Sequence, residues 1–172
     1  MLQLILLSAS LLQFSPSDNS ILRFTLGRYN LEIAQPQGWI LDTRAAPQIA
    51  HFVIHPEGTN WRRADVVIYV RFQPGGPDET VQKLLQEDTE RFEEDCPYAD
   101  TPEDVTLEGA AQFSIRRYFC PGVREEVLAI TKLPDFFAAF LMSSQKEGAI
   151  SNALPTFDAI LTSFHWSERS RQ

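Results

Sequence analysis

The chain has 172 residues, 44% of them hydrophobic and 22% charged. That fits one folded domain and excludes a disordered, collagen-like or coiled-coil chain. Fifteen basic against 23 acidic residues leave a net charge of −8, which disfavours nucleic acid and anionic membranes as partners. No uncharged apolar run reaches the roughly 20 residues that a membrane-spanning helix needs.

The first charged side chain is Asp18, and Leu2 to Phe14 is almost wholly apolar. An apolar run of that length, followed by Ser15, Pro16 and Ser17, reads as a signal peptide over residues 1–19, cleaved between Ser15 and Ser20. No Lys or Arg precedes the run, so an N-terminal strand packed in the core is the other reading.

Strand patterns follow. Ile21 to Leu26 alternates imperfectly, and Gly27-Arg28 turns it into Tyr29-Asn30-Leu31-Glu32-Ile33, whose odd positions share one face. Pro36-Gln37-Gly38 breaks that run before Trp39, Ile40 and Leu41. Ile49 to Ile54 is a further strand. Asp65 to Phe72 is apolar on both faces and is expected at the centre of a sheet. Gly75-Gly76-Pro77 stops it, and Asp78 is placed to cap a helix running to about Asp95, with Val81, Leu84, Leu85 and Phe92 on its buried stripe. Pro97 ends that helix. Tyr98 to Glu108 reads as a polar connection.

Phe113 to Cys120 and Val123 to Lys132 alternate on either side of Pro121-Gly122, a hairpin. Phe136 to Met142 is a second central strand. Ala149, Ala153, Phe157, Ile160, Leu161 and Phe164 repeat at helical spacing. Pro155 inside that pattern kinks the helix or marks its first turn. Residues 20–166 form one domain in this reading, and 167–172 a flexible tail.

Few residues suggest chemistry. His51 and His55 are four apart, but on a strand that spacing is about 13 Å, too far for one metal ion. No nucleophile motif is present, and Gly75-Gly76 lacks the lysine of a phosphate loop. Residues 78–108 hold twelve carboxylates against Lys83 and Arg91, a charge of −10, so the remainder carries +2. Calcium at Asp95, Asp100 and Asp104 does not match an EF-hand spacing. A solvated or partner-docking face is the plainer reading, with Glu90 and Glu94 on it. Trp61-Arg62-Arg63 is a second binding candidate, because Trp and Arg dominate interface hot spots. The other reading has Trp61 folded onto the sheet with both arginines in water. Cys96 and Cys120 form no CxxC pair. They read either as one disulfide or as two buried thiols. The sequence points to no catalytic residue, metal site or cofactor.

The run Tyr29–Ile33 followed by Pro36-Gln37-Gly38-Trp39 resembles the opening of the PsbP-like superfamily, and Phe157-Asp158-Ala159-Ile160-Leu161-Thr162-Ser163-Phe164 is similar to its closing helix. That superfamily includes a photosystem subunit, a Ran-binding release factor and exported bacterial proteins. The resemblance spans residues 24–166 and implies an α+β fold: a central antiparallel sheet of about six to seven strands with helices on both faces, an α/β/α sandwich. It further implies a non-enzymatic accessory domain, exported to the periplasm or secreted, that binds a protein partner. The alternative is a cytoplasmic chaperone or adaptor of the same fold that holds apolar segments of secreted toxins.

Overall fold

The computed structural model describes residues 21–44 and 50–169; the signal-peptide reading falls outside these residues. Two strands apolar on both faces organise the chain. Val67–Pro74 (β5) pairs antiparallel with Phe136–Ser144 (β9) along its full length, from Val67 opposite Ser143 to Pro74 opposite Phe136. Around them lie Trp39–Asp42 (β3), Phe52–Pro56 (β4), Glu103–Val105 (β6), Ser114–Cys120 (β7) and Arg124–Lys132 (β8). Together they make a seven-stranded antiparallel sheet in the order β3-β4-β5-β9-β8-β7-β6. The two strands expected at the centre are there.

A second sheet has three strands, Ile21–Leu26 (β1), Tyr29–Ala34 (β2) and His165–Glu168 (β10), with β2 in the middle. Tyr29, Leu31 and Ile33 alternate into the core, as their period of two requires. They join one cluster with Phe52, Phe72, Phe136 and Phe140, and with Phe157, Ile160 and Phe164 at the end of the molecule's second helix. That helix, α2, spans Ala149–Ser163. The Ser163 hydroxyl accepts from the Ala34 amide at 2.9 Å and so ties α2 to β2.

The first helix, α1, spans Val81–Asp95. Its buried Leu85 and Phe92 pack in a separate cluster with Tyr118, Leu128, Ile130 and Phe137. On β8 the alternation is explicit: Val127 and Ala129 belong to the first cluster, Leu128 and Ile130 to the second. A strand covered on both faces must read as an unbroken apolar run, which is why Val127 to Ile130 does.

The architecture is α+β and mostly sheet. Seven strands in the main sheet match the expected number, whereas the separate three-stranded sheet was not foreseen. The cap of α1 is Thr80, whose hydroxyl accepts from the Lys83 amide, and not Asp78. Glu79 accepts from the Gly76 amide at 2.7 Å and closes a turn that carries the chain past Asp78 before the helix starts. Pro155 lies well inside α2, so it does not mark the first turn. The polar connection contains β6. The chain also stays in register beyond residue 166: Ser167 and Glu168 belong to β10, and the Arg169 amide donates to the Arg28 carbonyl at 2.8 Å. Residues 167–169 are therefore strand and strand extension, where a tail was expected.

Candidate functional site: an acidic cleft at the sheet edge

The residues singled out from the sequence fall in separate places. Trp61 sits in the β4–β5 connection, half-buried against Ala50, Val53 and Val67. The Arg62 guanidinium stacks over its ring at 5.1 Å, and both Arg62 and Arg63 are exposed. Asn60 organises this loop by accepting from the Arg62, Arg63 and Ala64 amides. Glu90 and Glu94 are exposed on α1, with Glu90 accepting from Gln86 one turn earlier. The fold does not bring the tryptophan loop and these two glutamates together, because α1 lies over β7 and β8 whereas Trp61 lies over β4 and β5. Cys96 and Cys120 are bonded, with Cα atoms 6.1 Å apart, and join the end of α1 to the end of β7. His51 is half-buried and its Nδ1 accepts from the Phe72 amide. Burial, seconded by Arg71, holds its pKa below the usual histidine range.

A cleft of about 390 Å³ opens where β6, β7 and β8 meet the start of α2. At its base Arg117 on β7 donates through Nε to Glu125 on β8 at 2.7 Å, and its second guanidinium nitrogen closes on the same oxygen. Glu125 is 4% exposed, and a buried carboxylate needs such a partner. The hairpin register explains the meeting. Phe119 is opposite Glu125 and Arg117 opposite Val127, so Arg117 and Glu125 are diagonal neighbours on one face. Glu103 stands opposite Arg117 from the other side. The rim is acidic: Asp100, Glu103 and Glu147, with Thr101, Phe119, Gly148 and Ser151 completing the wall. Among the described residues Asp100, Glu103 and Glu147 make no ion pair. Their charge is uncompensated and favours a cationic group.

The sequence marked Asp100 as a calcium candidate and the acidic segment that holds Glu103, but not the cleft they line. The hairpin turn at Pro121-Gly122 would have located Arg117 and Glu125, since once the turn is placed the pairing follows by counting. Glu147 and Ser151 come from the helix start and reach the cleft only through the tertiary packing of α2.

The carboxyls with displaced pKa lie elsewhere, one on α1 and one on β8. Glu126 is held above its ordinary range by burial, against the opposing pull of Arg124 and a hydrogen bond from Ser143. Asp88 is raised by burial too, opposed by Arg91. Arg124 stacks on Phe92 at 4.7 Å and pairs with Asp95 at 3.1 Å, while Asp104 pairs with Arg116 at 2.9 Å. Two of the three aspartates weighed for calcium are thus bound to arginines.

The two sheets and two helices in this order define a PsbP-like fold, as the sequence resemblance implied. No family model matches the sequence, and no curated protein matches it. Among solved structures, the solution structure of cyanobacterial PsbP (CyanoP) from Synechocystis sp. PCC 6803 is similar, with a TM-score of 0.52 and 18% sequence identity. The match covers 87% of this chain and 94% of that one. At that identity the likeness concerns the fold.

Proposed function

We propose that this chain is an exported, non-enzymatic accessory domain that binds a protein partner through the cleft at its sheet edge. The observation that carries the binding reading is the cleft's charge distribution. Its buried carboxylate, Glu125, is committed to Arg117, while Asp100, Glu103 and Glu147 stand unpaired at the rim. The Arg117–Glu125 pair is thus internally satisfied, and the rim carboxylates are left to meet a ligand. The carboxyls that burial holds above their ordinary range, Asp88 on α1 and Glu126 on β8, do not line the cleft. Export is supported by the buried Cys96–Cys120 bond, since structural disulfides persist in oxidising compartments, and by the apolar leader. The helices, one on each of the two apolar clusters, support the layered α/β/α description.

A photo-crosslinking amino acid at exposed, cleft-lining Ser151, introduced in the native host, tests the reading. A discrete adduct with one exported protein is expected from Ser151 and not from exposed Asn60 on the tryptophan loop. Equal labelling from both positions, or none, defeats the binding reading. An intact Met1 on the mature protein defeats export.

A further inference from the structure

The two most exposed large hydrophobic side chains among the described residues are Tyr98, at 69%, and Val123, at 51%. Each lies within three residues of a bonded cysteine. Cys96-Pro97-Tyr98-Ala99 closes as a turn, with the Ala99 amide donating to the Cys96 carbonyl at 3.0 Å. Cys120-Pro121-Gly122-Val123 does the same, with the Val123 amide donating to the Cys120 carbonyl at 3.0 Å. The disulfide clasps these turns together, and Pro97, Tyr98, Pro121 and Val123 all face solvent around it. Gly122 takes the left-handed φ of 70° that lets the second turn close. The rest of the clasp is buried: both cysteines are 2% exposed. The other exposed large hydrophobics among the described residues, Ile21, Ile40 and Trp166, are less exposed, so the clasp forms a rigid apolar tip in water.

The tip is continuous with the acidic cleft. The Asp100 amide, two residues beyond Tyr98, donates to the Phe119 carbonyl at 3.0 Å, and both residues line the cleft wall. An apolar, disulfide-stiffened surface beside unpaired carboxylates matches one kind of occupant: an apolar side chain for the tip, and a cation for Asp100, Glu103 and Glu147. We propose that the clasped double turn and the adjoining cleft form a single docking surface for a partner segment in which an apolar residue neighbours Lys or Arg. Because the disulfide holds both turns in place, little ordering is needed on binding, which favours affinity. The inference rests on the protein-binding reading and names the surface and the chemistry of the segment.

The test is panning of a displayed random-peptide library on the intact, oxidised protein, with the enriched peptides then measured in solution. Enriched peptides are expected to combine Phe, Tyr, Leu or Ile with Lys or Arg. Replacing the tip by Tyr98→Ser with Val123→Ser is expected to weaken binding by about tenfold or more, as loss of anchor residues does. Glu103→Gln with Glu147→Gln is expected to weaken binding and to flatten its salt dependence. All four side chains are exposed, so melting temperatures report whether each variant stays folded. Peptides without basic residues, affinity unchanged in either double variant, or no enrichment overturn the surface. So does concentration-dependent self-association that Tyr98→Ser with Val123→Ser abolishes, since the occupant is then a second copy of this chain. If peptides bind the tip variant unchanged, the protein-binding reading stands and only this surface falls. If the Ser151 crosslinks fail, the protein-binding reading falls whatever the panned peptides do, so the two failures are told apart.

Discussion

Gly109 lies so close to α2 that a Cβ on it would stand 1.9 Å from the Thr162 hydroxyl oxygen and 3.1 Å from both Thr162 carbons. Rotating the Thr162 side chain moves its hydroxyl and methyl together but leaves Cβ in place, because Cβ is fixed to the helix. Gly109→Ala is therefore expected to destabilise the protein by about 1–3 kcal/mol, the range for overpacking. Combining it with Thr162→Ala removes two of the three obstructing atoms and should recover part of the loss. Chemical denaturation of the three variants measures this, and equal stability of Gly109→Ala and wild type refutes the contact.

The Cys96–Cys120 bond closes a loop with a sequence separation of 24. In the chain-entropy account such a crosslink stabilises by about 3 kcal/mol. Replacing both cysteines by serine is expected to cost that much or more, because two buried polar hydroxyls would remain. Cys96→Ala with Cys120→Ala separates crosslinking from burial. If the alanine pair melts like the wild type, the crosslink contributes nothing.

What the sequence disclosed, and what it hid, divides along burial. Asp65–Phe72 and Phe136–Met142 were legible as central strands because two-sided burial leaves no room for polar residues, and β5 and β9 occupy the middle of the sheet. The β7–β8 hairpin was legible from Pro121-Gly122. In contrast, β6 is Glu103-Asp104-Val105 and β10 is His165-Trp166-Ser167-Glu168, both short and largely exposed. Their strand state comes from pairing with a neighbour, and β6 lies opposite Arg116 and Arg117, whose charges complement its own. A polar edge strand has no hydrophobic period to read. The cleft stayed hidden for a related reason. Its residues come from three strands and a helix start, and only the packing of α2 assembles them.

Glu126 sets a pH dependence in acid. Ser143, Arg124, Asp88, Asp95 and Tyr69 surround it, and burial, the strongest influence, raises its pKa above the ordinary 4.5. A carboxyl raised in the folded state binds its proton more tightly there than in the unfolded chain. Its favourable contribution is present below the unfolded pKa and is lost as pH rises through the folded one. Glu126→Gln keeps an oxygen to accept from Ser143 and removes the charge. It is expected to raise the melting temperature at neutral pH, with the gain vanishing below the ordinary carboxyl range. A variant less stable than wild type at neutral pH would show that Arg124 depends on this charge.

Tyr118 sets the alkaline limit. It is fully buried between α1 and the sheet, with its hydroxyl 3.3 Å from Thr89 and 3.4 Å from the Leu85 carbonyl, and its pKa is pushed up to about 12 mainly by burial. The unfolded value is near 10.0, so between these two pH values the unfolded chain holds fewer protons and stability falls with rising pH. Tyr118→Phe is expected to be less stable at neutral pH, since Thr89 loses a partner, yet to lose less on going from pH 10 to about 12. Parallel losses in the two proteins over that window would remove Tyr118 as the cause.

Arg117 and Glu125 offer the sharpest separation of structure from recognition. Glu125 is buried, so removing the guanidinium strands a charge without water. Arg117→Met, which keeps the aliphatic stem, is expected to cost about 2–3 kcal/mol, somewhat below a fully buried pair because Arg117 is itself partly exposed. Adding Glu125→Gln removes the stranded charge and should restore much of that loss. A double-mutant cycle by denaturation measures the coupling directly. The two replacements also cancel in charge, so the double variant leaves Asp100, Glu103 and Glu147 as the cleft's field. A basic ligand should then bind the double variant as it binds wild type. If affinity drops with stability fully recovered, the ion pair is itself part of the recognition surface and not only its floor.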